Sequence, residues 1–95
     1  MLTTDIKNIR NGMKNLVIKA KVMGKEIDAD SSKPLFKALI SDGTGEIILN
    51  LWRNQIEQVK VGDTIVVKDG FVKLWKGQLE LNTWSKIEVI QVKDV

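Results

Sequence analysis

Residues 49–82 read LNLWRNQIEQVKVGDTIVVKDGFVKLWKGQLELN, and this stretch decides the fold. Its opening residues end a strand in which Ile47, Leu49 and Leu51 fall on one side and Ile48, Asn50 and Trp52 on the other. Asn54 is a candidate N-cap for a helix of about one to two turns over Gln55 to Val59. Val61-Gly62-Asp63 then turns the chain into a long strand, Thr64 to Trp75, with Gly70 as the expected bulge. Lys76-Gly77 closes a hairpin into a last alternating strand, Gln78 to Asn82. Phe71, Lys73 and Trp75 share one face of the long strand, so two rings flank one ammonium over roughly 13 Å. Val66, Val72 and Leu74 have the opposite parity and suit the buried side.

Working outward, Leu16, Ile18, Ala20 and Val22 alternate with Val17, Lys19, Lys21 and Met23, a period-2 pattern for a first strand. Asp28 to Pro34 is dense in loop formers and holds the only proline, so it reads as a connection. Leu35 to Ser41 is a second strand, with Phe36 on the core parity of Ala38 and Ile40. Asp42-Gly-Thr-Gly45 is a hairpin turn into the third strand, Glu46 to Arg53, and its glycines read as turn geometry. Ser85 to Val92 is expected to continue or cap the fifth strand. Three strands, a short helix and two strands is the order of an all-β, five-stranded OB-fold barrel with the helix between strands 3 and 4. An SH3-like barrel shares the strand count. One domain over residues 1–95 is expected, with its core at about residues 13–92.

Composition narrows function by exclusion. The 95 residues contain no cysteine and no histidine, which removes disulfides, thiolate metal sites, the usual neutral-pH general base and the commonest zinc ligand. No nucleophile–base pair or metal cluster is evident, so no enzyme, cofactor or metal is expected. Asp28 and Asp30 lack the rest of a calcium loop. No apolar run approaches the ~18 residues of a membrane span, and the first residues show no secretory h-region. The net charge is a modest +3. Residues 1–25 concentrate it: Lys7, Arg10, Lys14, Lys19, Lys21 and Lys25 face Asp5 alone. Such a flank attracts polyanions, although a solvated strand face has the same pattern.

An OB barrel binds oligonucleotides on its strand 2–3 face and with its strand 1–2 and 4–5 loops. Trp52, at the end of strand 3, and Trp75, at the strand 4–5 turn, fall on that groove with Phe71 between them. Bases stack on exposed rings and phosphates pair with cations, so Trp52, Phe71 and Trp75 are the candidate stacking residues. Lys73, Lys76, Arg53 and Lys37 are candidate phosphate contacts, and Arg53 can also stack. Asn50 and Asn82 are candidate base-edge contacts, and Trp84 is a further candidate platform. The plainer alternatives are rings that fill the core, lysines that only solvate the surface, and asparagines that face water.

The runs SDGTGEIILNLW, VGDTIVV and GFVKLWKGQLELN resemble the simple single-OB-fold single-stranded DNA-binding proteins of archaea and their human relatives. The shared pattern is a D-x-T-G hairpin, a strand ending in L-W, a helix, a G-D turn, two aromatics separated by three residues, K-G, and an alternating strand. Here these are Asp42 to Gly45, Leu51-Trp52, Gly62-Asp63, Phe71 and Trp75, Lys76-Gly77, and Gln78 to Asn82, and the likeness covers roughly residues 8–90. The resemblance implies sequence-tolerant binding of single-stranded DNA in replication and repair, with Trp52, Phe71 and Trp75 at the stacking positions. It also implies a monomer in a prokaryotic cytosol, associated with the nucleoid. Human relatives carry an aromatic where this chain has Asn82, and Trp84 has the same parity. Family members usually add a Gly/Arg-rich or acidic tail after the barrel; the residues up to Val95 hold none, so either tail-mediated recruitment is in doubt or the tail lies outside this sequence. RNA binding by the same groove, and an OB subunit of a larger protein complex, are the alternative readings.

Overall fold

The computed structural model describes residues 2–27 and 35–90. The Asp28–Pro34 connection, the Asp28 and Asp30 carboxylates and the chain beyond residue 90 lie outside the described residues. The strands are β1 (Leu16–Ile27), β2 (Leu35–Ser41), β3 (Glu46–Trp52), β4 (Thr64–Trp75), β5 (Gln78–Asn82) and β6 (Glu88–Ile90), with the helix α1 (Gln55–Gln58) between β3 and β4. The sheet runs β1-β2-β3-β5-β4-β6, and a β1–β4 pairing closes the first five strands into a barrel. This is the expected OB fold. The 12-residue β1 makes closure possible by pairing with β4 through Leu16–Lys21 and with β2 through Lys21–Ile27. Lys21 belongs to both ladders, and Met23 is the extra residue of a bulge that bends the strand between them.

The interior follows the sequence alternation. Ile18, Val22, Ala38, Ile40, Leu49, Leu51, Ile65, Val67 and Leu81 have no exposed surface, and Phe36 packs partly buried against them. One inward assignment fails on β4. Leu16 pairs with Gly70 but Ile18 pairs with Val67, so β4 spends one more residue than β1 across this step. The bulge therefore precedes Gly70 and falls at Lys68-Asp69, where Asp69 takes a φ of 54°. A one-residue insertion flips every side chain beyond it to the other face. Ile65 and Val67 point inward before the bulge, and Val72 points inward after it. Without the bulge, Phe71, Lys73 and Trp75 would have the inward parity of Ile65 and Val67. Val66 accordingly lies on the outer parity, buried where β4 runs between β1 and β6. Leu74 is inward by parity but 53% exposed, because the β4–β5 hairpin overhangs the core. Gly70 makes room of a different kind: an added Cβ would lie 3.0 Å from the Leu81 side chain, which would have to give way.

Two local expectations need correcting. Asn54 has helical φ and ψ and its side chain caps nothing; the turn into α1 is made instead by Arg53 at φ 47°. The C-terminal end of the helix is capped by Lys25, whose Nζ donates to the carbonyls of Ile56 and Val59. Glu88–Ile90 does not extend β5; it forms β6 on the outer edge of β4, paired antiparallel through Thr64–Val66.

The D-G-T-G turn ties in the residues before β1. Asp42 Oδ2 accepts from the Ile6 backbone N–H at 2.9 Å, and its Oδ1 accepts from the Thr44 N–H and hydroxyl at 2.8 and 2.6 Å. This buckle presses Ile6 and Ile9 into the core cluster. Partial burial pushes the Asp42 pKa upward, but hydrogen bonds from the Thr44 side chain and the Ile6, Thr44 and Gly45 backbones outweigh it, leaving the carboxyl below its ordinary range.

Candidate nucleic-acid interface

The outer face of the β2-β3-β5-β4 sheet carries the site, and strand register sets its layout. Phe71, Lys73 and Trp75 lie opposite Asn82, Glu80 and Gln78 on β5. Glu80 aligns with Ile48 on β3, and Asn50 with Lys37 on β2. Cross-strand partners share a face, so nearly every residue singled out in the sequence comes to one surface. Trp52 and Phe71 are half-buried, while Trp75 is 55% and Trp84 72% exposed.

Trp84 joins the two half-buried rings. Its centroid is 5.7 Å from that of Trp52 and 5.7 Å from that of Phe71, with ring planes tilted at 46° and 42°. Those are contact geometries for aromatic pairs. A base slipped between two rings would need about 7 Å, twice the carbon–carbon contact distance. The three rings therefore form one ridge, whose open surface is chiefly that of Trp84. Trp75 stands apart at the hairpin tip, where Lys76 and Gly77 both take positive φ, 49° and 78°, as a tight two-residue turn requires.

The position of Trp84 is fixed from both sides through its neighbours. Gln55 is buried, and its Nε2 donates to the Thr83 carbonyl at 2.7 Å and the Ser85 carbonyl at 3.0 Å. Its Oε1 accepts from the Trp52 backbone N–H at 3.0 Å. On the other side, the Thr83 hydroxyl donates to the Lys68 carbonyl at 2.6 Å and the Ser85 hydroxyl to Asp69 Oδ2 at 2.8 Å. The bulge that turns Phe71 outward thus also anchors the Trp84 segment. Sequence reasoning missed Gln55, because a glutamine in a four-residue helix looks like a solvated side chain.

A polar ladder underlies the rings. Lys37 Nζ pairs with Glu80 Oε2 at 2.7 Å. Asn50 Nδ2 donates to Glu80 Oε1 and Asn82 Oδ1, each at 3.1 Å, and Trp52 Nε1 donates to the same Asn82 oxygen at 3.3 Å. Asn50, Glu80 and Asn82 are all buried. The two asparagines, candidates for base edges, are engaged with each other and with Trp52, and Asn50 Oδ1 is the buried side-chain atom without a partner among the described residues. Lys73 and Lys76 are exposed and lie 5.7 Å from the Phe71 and 5.6 Å from the Trp75 ring centroids. Arg53 is exposed at the rim of a 510 Å³ cleft that it shares with Trp52, Asn54, Gln55 and Trp84. Among the described residues no group of three or more His, Cys, Asp or Glu converges as metal ligands would, and no helix is long and apolar enough to cross a membrane.

A closed five-stranded barrel with its helix between β3 and β4, here presenting rings and cations on one sheet face, is the OB-fold architecture. The chain belongs to the Ssb-like single-stranded DNA-binding OB-fold family, whose profile matches residues 6–89. That family is a non-enzymatic, nucleic-acid-binding one. Single-stranded DNA binding protein Ssb of Saccharolobus solfataricus is 21% identical over 94 residues; the match covers 94% of this chain and 64% of that protein's length. A domain of replication protein A from Methanococcus maripaludis superposes with a TM-score of 0.76 at 27% identity, covering 95% of this chain and 97% of that one. Fission yeast Pot1, solved with single-stranded DNA, gives a TM-score of 0.72 over 94% of this chain and 39% of its own; at 17% identity that likeness is one of fold.

Proposed function

We propose that this protein binds single-stranded DNA with little sequence preference, stacking bases on Trp84 and Trp75 while cations around them pair with phosphates. The observation that carries the reading is the exposed Trp84 indole propped between Trp52 and Phe71. Trp52 and Phe71 contribute to the stacking platform from beneath and at its edges. Lys73, Lys76 and Arg53 contact the backbone, and Lys37, paired with Glu80, braces the polar ladder beneath the rings. Stacking suits all bases because each has a π-face, and duplex binds poorly because paired bases cannot reach the rings. Membership of the Ssb-like family supports this reading, as do relatives described as a single-stranded DNA-binding protein and a replication protein A domain. Protection of single strands during replication and repair, by a monomer working beside the chromosome in the cytosol, is the cellular role proposed with it.

Titration of tryptophan fluorescence with oligo-dT, oligo-U and duplex DNA tests it. Two platforms match the short end of OB-fold site sizes, about 4–6 nucleotides. Strong quenching by oligo-dT is expected, with a log–log salt slope of about −1.5 to −3 for two to four phosphates. Unchanged fluorescence would overturn the reading, and a preference for oligo-U would reassign it to RNA.

A further inference from the structure

We infer that the groove continues past the sheet onto the segment before β1, where Gly12 to Asn15 complete a further nucleotide subsite with Lys14 as its phosphate contact. The inference rests on the single-strand reading above but concerns a part of the chain outside the sheet face. The segment is docked in place: Val72 N–H donates to the Met13 carbonyl at 2.8 Å, and Gly12 N–H donates to the Val72 carbonyl at 3.3 Å. Val72 is the inward residue between Phe71 and Lys73, so this bridge sets the segment beside the two outward ones. Asn15 then takes a φ of 57° as the chain turns into β1.

The result is a 440 Å³ cleft walled by Met13, Lys14, Asp69, Phe71, Lys73 and Trp84. Trp84 also walls the Arg53 cleft, so its indole is a ridge with an opening on either side. Each opening pairs ring surface with exposed cations: Arg53 on one side, Lys14 and Lys73 on the other. A nucleotide needs that combination. Asp69, bonded to the Ser85 hydroxyl, repels phosphate and accepts hydrogen bonds from base N–H groups. In this subsite Asp69 therefore faces a base, while Lys14 takes the phosphate. A strand stacked on Trp84 from the Arg53 side reaches this cleft next.

Lys14→Gln and Lys19→Gln test this, because both lysines are exposed and the variants have the same net charge. Lys19 sits on β1, paired with Val66 and away from the cleft. Each variant and the wild type are titrated with an oligo-dT of about 10 nucleotides across a salt series. The expected result is a salt slope shallower by roughly 0.7 for Lys14→Gln, the loss of one phosphate contact, and unchanged for Lys19→Gln. Equal slopes for the two variants, with wild-type binding intact and sensitive to Trp84→Ala, would overturn the subsite and leave the single-strand reading standing. No binding by the wild type would overturn both.

Discussion

Two exposed tryptophans share one sheet face under opposite regimes. Trp84 sits in a segment whose flanking residues are bonded to α1 through Gln55 and to the β4 bulge through Thr83 and Ser85. Two rings hold its indole from the sides. Trp75 stands at the tip of a hairpin that overhangs the core, with the Lys76 ammonium over its ring. The first is ordered before any ligand arrives. The second must lose rotamer freedom on binding, which subtracts about 0.5–1.5 kcal/mol from what its stacking contributes. Equal indoles at equal exposure would therefore not be equal platforms.

Breaking the ordered side should give the largest effect. Stacking is worth about 1–3 kcal/mol per base, so Trp84→Ala should weaken oligo-dT binding by roughly 5- to 150-fold in a fluorescence-anisotropy titration. Wild-type affinity in this variant would remove Trp84 from the interface. Gln55→Leu comes next, since it strips the buried Thr83 carbonyl and the half-buried Ser85 carbonyl of a shared donor. A loss of about 1–3 kcal/mol is expected in urea unfolding, together with weaker dT binding under conditions where the variant is fully folded. Unaltered binding by the folded variant would show that Gln55 stabilises the barrel without ordering the platform. Trp75→Ala sharpens the comparison from the other side: a loss near the low end of the same range, about 5-fold, and no change in unfolding midpoint.

The smallest effect belongs to the far end of the barrel. The Asp42 carboxyl titrates lower in the folded chain than its ordinary value, so its contribution is present above the unfolded pKa near 3.9 and is lost as pH falls through the folded value. Asp42→Asn should flatten the acid limb of stability below about pH 4 and leave dT affinity at neutral pH unchanged. An acid limb identical to wild type would remove the buckle from the account.

What the sequence revealed was local. Apolar alternation and turn residues located β2, β4 and β5 to the residue, because Asp-Gly, Thr-Gly and Lys-Gly steps punctuate them. They also assigned Trp52, Phe71 and Trp75 to one groove. The remainder depended on contacts distant in the chain. The bulge at Lys68-Asp69 was legible only as a Lys-Asp-Gly break, and its parity flip becomes visible once β1 is laid beside β4. β6 pairs 20 or more residues away in sequence, and three residues carry too short a pattern to assign. Asn50, Glu80 and Asn82 alternate as water-facing residues would, yet they satisfy one another beneath the rings. Trp84, outside any strand, gains its place from Gln55, Lys68 and Asp69, none of which is its neighbour in the chain.

The central claim is that a preordered indole ridge receives unpaired bases. It is tested most directly by following the three indole N–H resonances while oligo-dT is added. The account predicts large shifts for Trp84 and Trp75, a smaller one for Trp52, whose N–H is bonded to Asn82, and little response to duplex. Three unmoved resonances, or shifts as large with duplex as with oligo-dT, would contradict it.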